Sequence, residues 1–340
     1  MVRRNIIYLI LSFLLSGILI AFLFSQIELK DLKFTFSNLF FSGLVGFVIF
    51  ALTGSVLRAY RYKLLLRPYP PSFLSLFWVT LIRNLFVDLL PARIGSLSYI
   101  YLVNKRLYFP FERAASSFIL AVIFDFLTLG PFLIVSLFAV GLNASSLKKT
   151  PLYIISSLFF LFFLLLTWKL APFLVFCTRL YRKFLHKFRL EKKKIWTDLS
   201  GKLEKTAGLV AYAETKKTFL PIFFLSAAIR LAKYAALFFL LFSLIHSHGY
   251  NLSDLSFFKT VLGTTGAEFT SVLPVKGLAG FGTWESAWAL TFNLLDFDKK
   301  IAVISGIGVH LITNIFEYSL GLFAIFILAF PLLRSSRGKK

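Results

Sequence analysis

Arg83-Asn84-Leu85-Phe86-Val87-Asp88-Leu89-Leu90-Pro91-Ala92-Arg93-Ile94-Gly95 lies inside an apolar stretch that begins at Ser72, and its reading decides the fold. Arg83, Asn84 and Asp88 stand where a membrane helix is ordinarily apolar, and Pro91 removes a backbone donor and stops the helix. The segment after it, Ile94 to Val103, is too short to cross a bilayer, for which about 20 apolar residues are needed. A charged, proline-broken pair of short helices is tolerated at membrane depth only where protein buries it or where it lines a wet cavity. Residues 72–103 are therefore expected to be re-entrant, entering from the cytoplasm and returning to it, where Lys105, Arg106 and Arg113 follow.

The whole chain supplies the membrane setting. Its 340 residues are 58% hydrophobic, include 43 Phe and average +0.80 in hydropathy. Only 16% are charged, against about 25% in soluble domains, which excludes a soluble core. The net charge of +23 would suggest nucleic acid in a soluble protein. In a membrane protein it marks cytoplasmic loops and anionic lipid instead, so no nucleic-acid partner is expected. One cysteine, Cys177, leaves no intrachain disulfide and no thiolate metal cluster.

Charge then orders the remaining segments. Asn5 to Ser25 follows Arg3 and Arg4 and outlasts a signal-peptide core, so it is expected as a retained span with the N-terminus inside. Leu39 to Leu57 returns to a cytoplasmic cluster of Arg58, Arg61, Lys63 and Arg67. Phe118 to Val140 runs outward with Asp125, and Leu152 to Phe176 runs back. Between Arg179 and Lys217 twelve basic residues stand against four acids, so 178–217 is expected as a basic cytoplasmic linker. Trp196, Leu199, Leu203, Ala207 and Val210 recur there at helical spacing, which fits either an amphipathic helix on the inner surface or a plain connector.

Phe219 to Ile245 goes outward, and Leu255 to Leu295 repeats the opening puzzle: Glu268, then Pro274, Gly277, Gly280 and Gly282, then a short helix. The last helix, from near Lys300 to Phe330, carries His310, Asn314 and Glu317 and must end inside beside Arg334, Arg337, Lys339 and Lys340. The second broken unit therefore starts and ends outside. Residues 39–140 and 219–330 share one order of parts, with Asp88 matching Glu268, Leu90-Pro91 matching Leu273-Pro274, Gly95 matching Gly277 or Gly280, and Asp125 matching Glu317. The expected fold is one all-α polytopic membrane domain over 1–340, with about six full spans and two re-entrant units in an inverted repeat, the arrangement by which carriers build a site reachable from either side.

No H-E-x-x-H, G-x-S-x-G or P-loop motif occurs, so neither a metal nor a cofactor is expected, and His246-Ser247-His248 fits a solvated pair. What the core holds is cations with acids. Arg presents a fork suited to phosphate, and broken-helix N-termini also favour anions. The substrate candidates are Arg83, Asn84, Asp88, Arg93, Arg230, Lys233, Glu268, Lys276, Gly280 and Glu285. Pro91, Gly95, Asp125, Pro274, Gly277 and Glu317 are assigned structural roles, the two acids as packing partners of the cations.

The segment Asn84 to Val103, followed by Glu112 to Phe126, resembles the "N-x-L-L-P-x-R-x-G-E" and "A-x-x-S-x-x-x-E-R-x-x-D" segments of the lysylphosphatidylglycerol synthase transmembrane, or flippase-like, family. Leu273-Pro274 through Gly280-Phe281-Gly282-Thr283-Trp284-Glu285 resembles its "P-x-P-G-G-L-G-x-x-E" signature, with Val275-Lys276 in place of Pro-Gly. The resemblance implies translocation of a phospholipid or a polyprenyl-phosphate-linked lipid across a prokaryotic cytoplasmic (inner) membrane. Anionic lipid and envelope-lipid biosynthetic enzymes are the implied partners. The family's cytosolic synthase domain has no counterpart before Lys340, so aminoacyl transfer is not expected. Two other classes remain: a membrane-embedded glycosyl- or phosphotransferase with Asp88 or Glu268 as base, and a non-catalytic scaffold acting through residues 178–217.

Overall fold

A computed structural model describes residues 17–141, 170–187, 216–270 and 280–329, with short pieces between 154 and 165 and at 201, 204 and 205. Among these the chain is helical without strands. In order come α1 (Leu29–Ser37), α2 (Phe41–Leu65), α3 (Phe73–Leu89), a 3-10 turn (Pro91–Leu97), α4 (Ser98–Lys105), α5 (Phe111–Gly141), α6 (Leu170–Lys187), α7 (Lys216–Ile245), α8 (Phe257–Phe269), α9 (Thr283–Leu294) and α10 (Lys299–Ala329).

Among the described residues four helices, α2, α5, α7 and α10, are long and apolar enough to cross a membrane. Of the two other expected spans, 5–25 is described only from residue 17 onward and 152–176 only in pieces. At 1.5 Å per residue the 17-residue α3 reaches about 25 Å and the 13-residue α8 about 20 Å, both short of a hydrocarbon core of about 30 Å. Each opens on a serine cap: Ser72 Oγ accepts from the Ser75 N–H and Ser256 Oγ from the Lys259 N–H. The first ends where Pro91 forces Leu90 into extended backbone (φ −99°, ψ 141°). Gly95 is required just beyond, because a Cβ there would stand 1.7 Å from the Phe86 carbonyl oxygen. Pro274, Lys276 and Gly277, with the second break itself, lie outside the described residues.

Packing crosses between the two halves. The Phe40 N–H donates to the Ser243 carbonyl, Phe50 stacks on Phe239, and Arg61 donates to Ser226, so α2 and α7 run antiparallel over their length. Trp78 meets Phe323 and Leu85 packs on Gly321, seating α3 antiparallel on α10. Leu262 packs on Val140, seating α8 on α5. The short helix α3 thus leans on the long α10, and the short α8 on the long α5. The apolar window of α7 is 61% buried and that of α2 17%, which puts α7 at the centre and α2 at the edge. Large side chains such as Phe41, Phe138, Phe224 and Leu322 are more than half exposed, as lipid-facing surfaces require.

Two boundaries move from their sequence positions. The span expected to stop at Leu57 continues to Leu65, carrying Arg58 and Arg61 inside the bundle. Their partners lie on other helices, so these charges do not end the span. The helix expected to stop near Phe176 continues to Lys187, because Phe173, Phe176, Leu180 and Phe184 keep an apolar stripe at helical spacing past the first basic residues. The amphipathic segment around Trp196 to Val210 lies mostly outside the described residues.

Candidate functional site

A polar cavity of about 290 Å³ opens inside the bundle, walled by α2, α3 and α5 of the first half and by α7, α8, α9 and α10 of the second. Its volume is at the low end of the roughly 300–1,000 Å³ usual for small-molecule sites. Of the sequence candidates it gathers Arg83, Asn84, Asp88, Arg230, Lys233, Glu268 and Gly280, together with Asp125 and Glu317.

One wall is strongly cationic. Arg58 Nη1 donates to Asn84 Oδ1 at 3.0 Å and Arg83 Nη1 approaches the same oxygen at 3.4 Å. Asn84 is itself buried and directs its amide nitrogen at Ser55 Oγ, 3.5 Å away. Two guanidiniums therefore share one neutral acceptor, and the Nε of each is buried without a protein acceptor. Glu317 stands on the same wall with Oε2 unpartnered, one turn from Asn314, whose Nδ2 is likewise unpartnered.

The opposite wall carries matched charges. Lys233 on α7 forms an ion pair with Glu268 on α8. Arg230, one turn earlier, donates to Tyr234 Oη at 3.2 Å, to Thr128 Oγ1 at 3.3 Å and to the Asp125 carbonyl oxygen. Tyr234 passes the network on to Thr265 Oγ1 at 2.9 Å, which ties α8 to α7.

Two buried polar assemblies border the cavity. Arg61, 0% exposed, reaches both oxygens of Asp125 at 2.5 and 3.2 Å and Ser226 Oγ at 2.8 Å, joining α2, α5 and α7. Glu285, 2% exposed, does not reach the cavity wall. Its Oε2 accepts the Gly282 N–H at 2.8 Å and its Oε1 lies 2.6 Å from His310 Nδ1. The turn before it is set by Gly280 and Gly282, both in left-handed backbone at φ +85° and +84°.

The backbone of Arg93 lies on the 3-10 turn, and its side chain, like Lys276, lies outside what the structure describes. Arg58, His310 and Asn314 belong to the cavity wall although sequence alone did not single them out as site residues. Arg58 carried the marks of a cytoplasmic end. The other two sit three residues or more from any break, and only the i, i+4 and i, i+7 spacing of His310, Asn314 and Glu317 signalled a common polar face.

Residues 9–333 match the family model described as "Lysylphosphatidylglycerol synthase TM region". No curated protein and no solved structure matches the chain. The chain belongs to this family, as a multi-pass membrane protein with a lipid-related role.

Proposed function

We propose that this family member is a transporter, not an enzyme, which moves a phosphate-bearing lipid, phospholipid or polyprenyl-phosphate-linked, between the leaflets of a prokaryotic cytoplasmic membrane. The observation that supports it most is the meeting of Arg58 and Arg83 over Asn84 in a headgroup-sized cavity. Two guanidiniums on one neutral oxygen repel each other, and a phosphate between them would satisfy both through paired, charge-assisted hydrogen bonds. A volume of about 290 Å³ suits a headgroup, with the acyl chains left in the bilayer.

The inverted repeat supplies the route. With α2 antiparallel to α7, α3 seated on α10 and α8 on α5, the two re-entrant units would open to opposite faces with the cavity between them. Both termini would then lie in the cytoplasm.

The test is reconstitution of the chain into vesicles that carry a fluorescent anionic phospholipid, followed by quenching of the outer leaflet. The protected inner-leaflet signal should fall with protein present and not in protein-free vesicles. Equal protection in both would overturn the transporter reading, and chemical conversion of the lipid by purified protein would move the assignment to a transferase.

A further inference from the structure

We propose that His310, held by Glu285, is a proton-binding site that couples proton movement to the lipid movement proposed above, on whose reading it rests. His310 comes from the middle of α10 and is 7% exposed. Its Nδ1 edge is committed to Glu285, a carboxylate that is itself pinned by the Gly282 N–H. Phe281 and Trp284 lie against the ring at centroid distances of 4.7 and 4.9 Å, and fix its plane. The other edge looks toward Gly280, where a Cβ would come within 3.6 Å of Nε2; Gly280 and His310 both line the cavity.

The chemistry follows from those two edges. With Glu285 ionised, Nδ1 carries the hydrogen and donates to it, which leaves the Nε2 lone pair as the base. A hydronium ion in the cavity gives its proton to Nε2 and becomes water, and the ring becomes an imidazolium paired with the carboxylate. A hydrogen bond from a neutral ring to a carboxylate, between α10 and α9, is thereby turned into an ion pair, and the charge of the pair at the wall of the lipid path rises from −1 to zero. An anionic headgroup and a proton then bind each better in the presence of the other, since such coupling is reciprocal. Glu285 caps the first turn of α9 through Oε2, which leaves Oε1 as the oxygen that faces the ring at 2% exposure.

The charged groups that face α10 from its neighbours are Glu285 on α9, in contact with the ring, Arg83 and Asp88 on α3, and Arg230 and Lys233 on α7. Arg58 on α2 lies on the same cavity, and Glu317 stands two turns along α10 itself. At the far start of α10, Lys300 pairs with Asp31 of α1 at 2.9 Å.

The test uses the full chain in lipid nanodiscs, labelled with 15N-histidine. Of the four histidines, the resonance lost in His310→Gln should respond reversibly to pH, and that response should change in Glu285→Gln. In vesicles, a pH gradient of one unit should change the steady-state leaflet ratio of the fluorescent anionic lipid about tenfold if one proton moves with each lipid. The ratio in His310→Gln should not respond to the gradient. A His310 ring that does not titrate, or a gradient response that persists in His310→Gln, would overturn the proposal. Should His310→Gln not fold, the wild-type titration and Glu285→Gln carry the same decision. Wild-type lipid movement that ignores the gradient sinks the coupling and leaves the transporter standing. No lipid movement at all sinks the transporter, and the titration alone then decides the proton site.

Discussion

Arg58 and Arg61 stand one turn apart on α2 and end in opposite circumstances. Arg61 is fully buried and has its counter-ion: Asp125 takes two of its N–H groups, and Ser226 takes a third bond. Arg58 is half-buried and shares an amide oxygen with a second guanidinium, and among the described residues neither Arg58 nor Arg83 lies within ion-pair distance of a carboxylate. The same side chain, three residues along, is a fastener in one place and an anion seat in the other. What separates them is the neighbour that the fold supplies, an acid on α5 or a cation on α3.

This contrast makes unequal demands on stability. Asp125→Asn leaves a guanidinium at 0% exposure without its charge partner, and breaking a buried pair on one side typically costs about 3–5 kcal/mol. A large fall in the melting temperature of the purified protein is expected. The double replacement Arg61→Met with Asp125→Leu should recover much of that loss, since apolar substitutes for a whole buried pair are often neutral. Equal melting temperatures for wild type and Asp125→Asn would erase the distinction between the two arginines.

A smaller effect sharpens it. In Gly95→Ala the new Cβ would stand 1.7 Å from the backbone oxygen of Phe86, so the break must open and α3 must shift. Forcing an extra carbon into a packed site usually costs about 1–3 kcal/mol. Because Arg83 rides on α3 while Arg61, Asp125 and Ser226 do not, lipid movement should drop by a larger factor than stability alone explains. A variant that is less stable but moves lipid normally once folded would uncouple the break from the seat.

Much of this was written in the chain. Composition places it in the membrane, Pro91 with Leu90 marks the first break, and the ten substrate candidates include seven residues that the fold brings to one cavity. These were legible because charge is rare at membrane depth and a break leaves its own proline or glycine. The fate of Arg58 and Arg61 was not legible. On paper both look like the basic end of a span, and only the approach of Asn84 and Arg83 to one, and of Asp125 and Ser226 to the other, tells them apart. Glu285 escaped for the same reason: its motif position suggested a substrate contact, whereas helix packing turns it to His310 and the Gly282 N–H.

The most direct test is native mass spectrometry of the protein purified with its endogenous lipid, comparing wild type with the double variant Arg58→Gln, Arg83→Gln. Its effect on stability should be the smallest of the three, because no buried ion pair is broken, yet the bound anionic lipid seen with wild type should be lost. Retention of that lipid at wild-type occupancy in a folded double variant would contradict the assignment of this arginine pair as the phosphate seat.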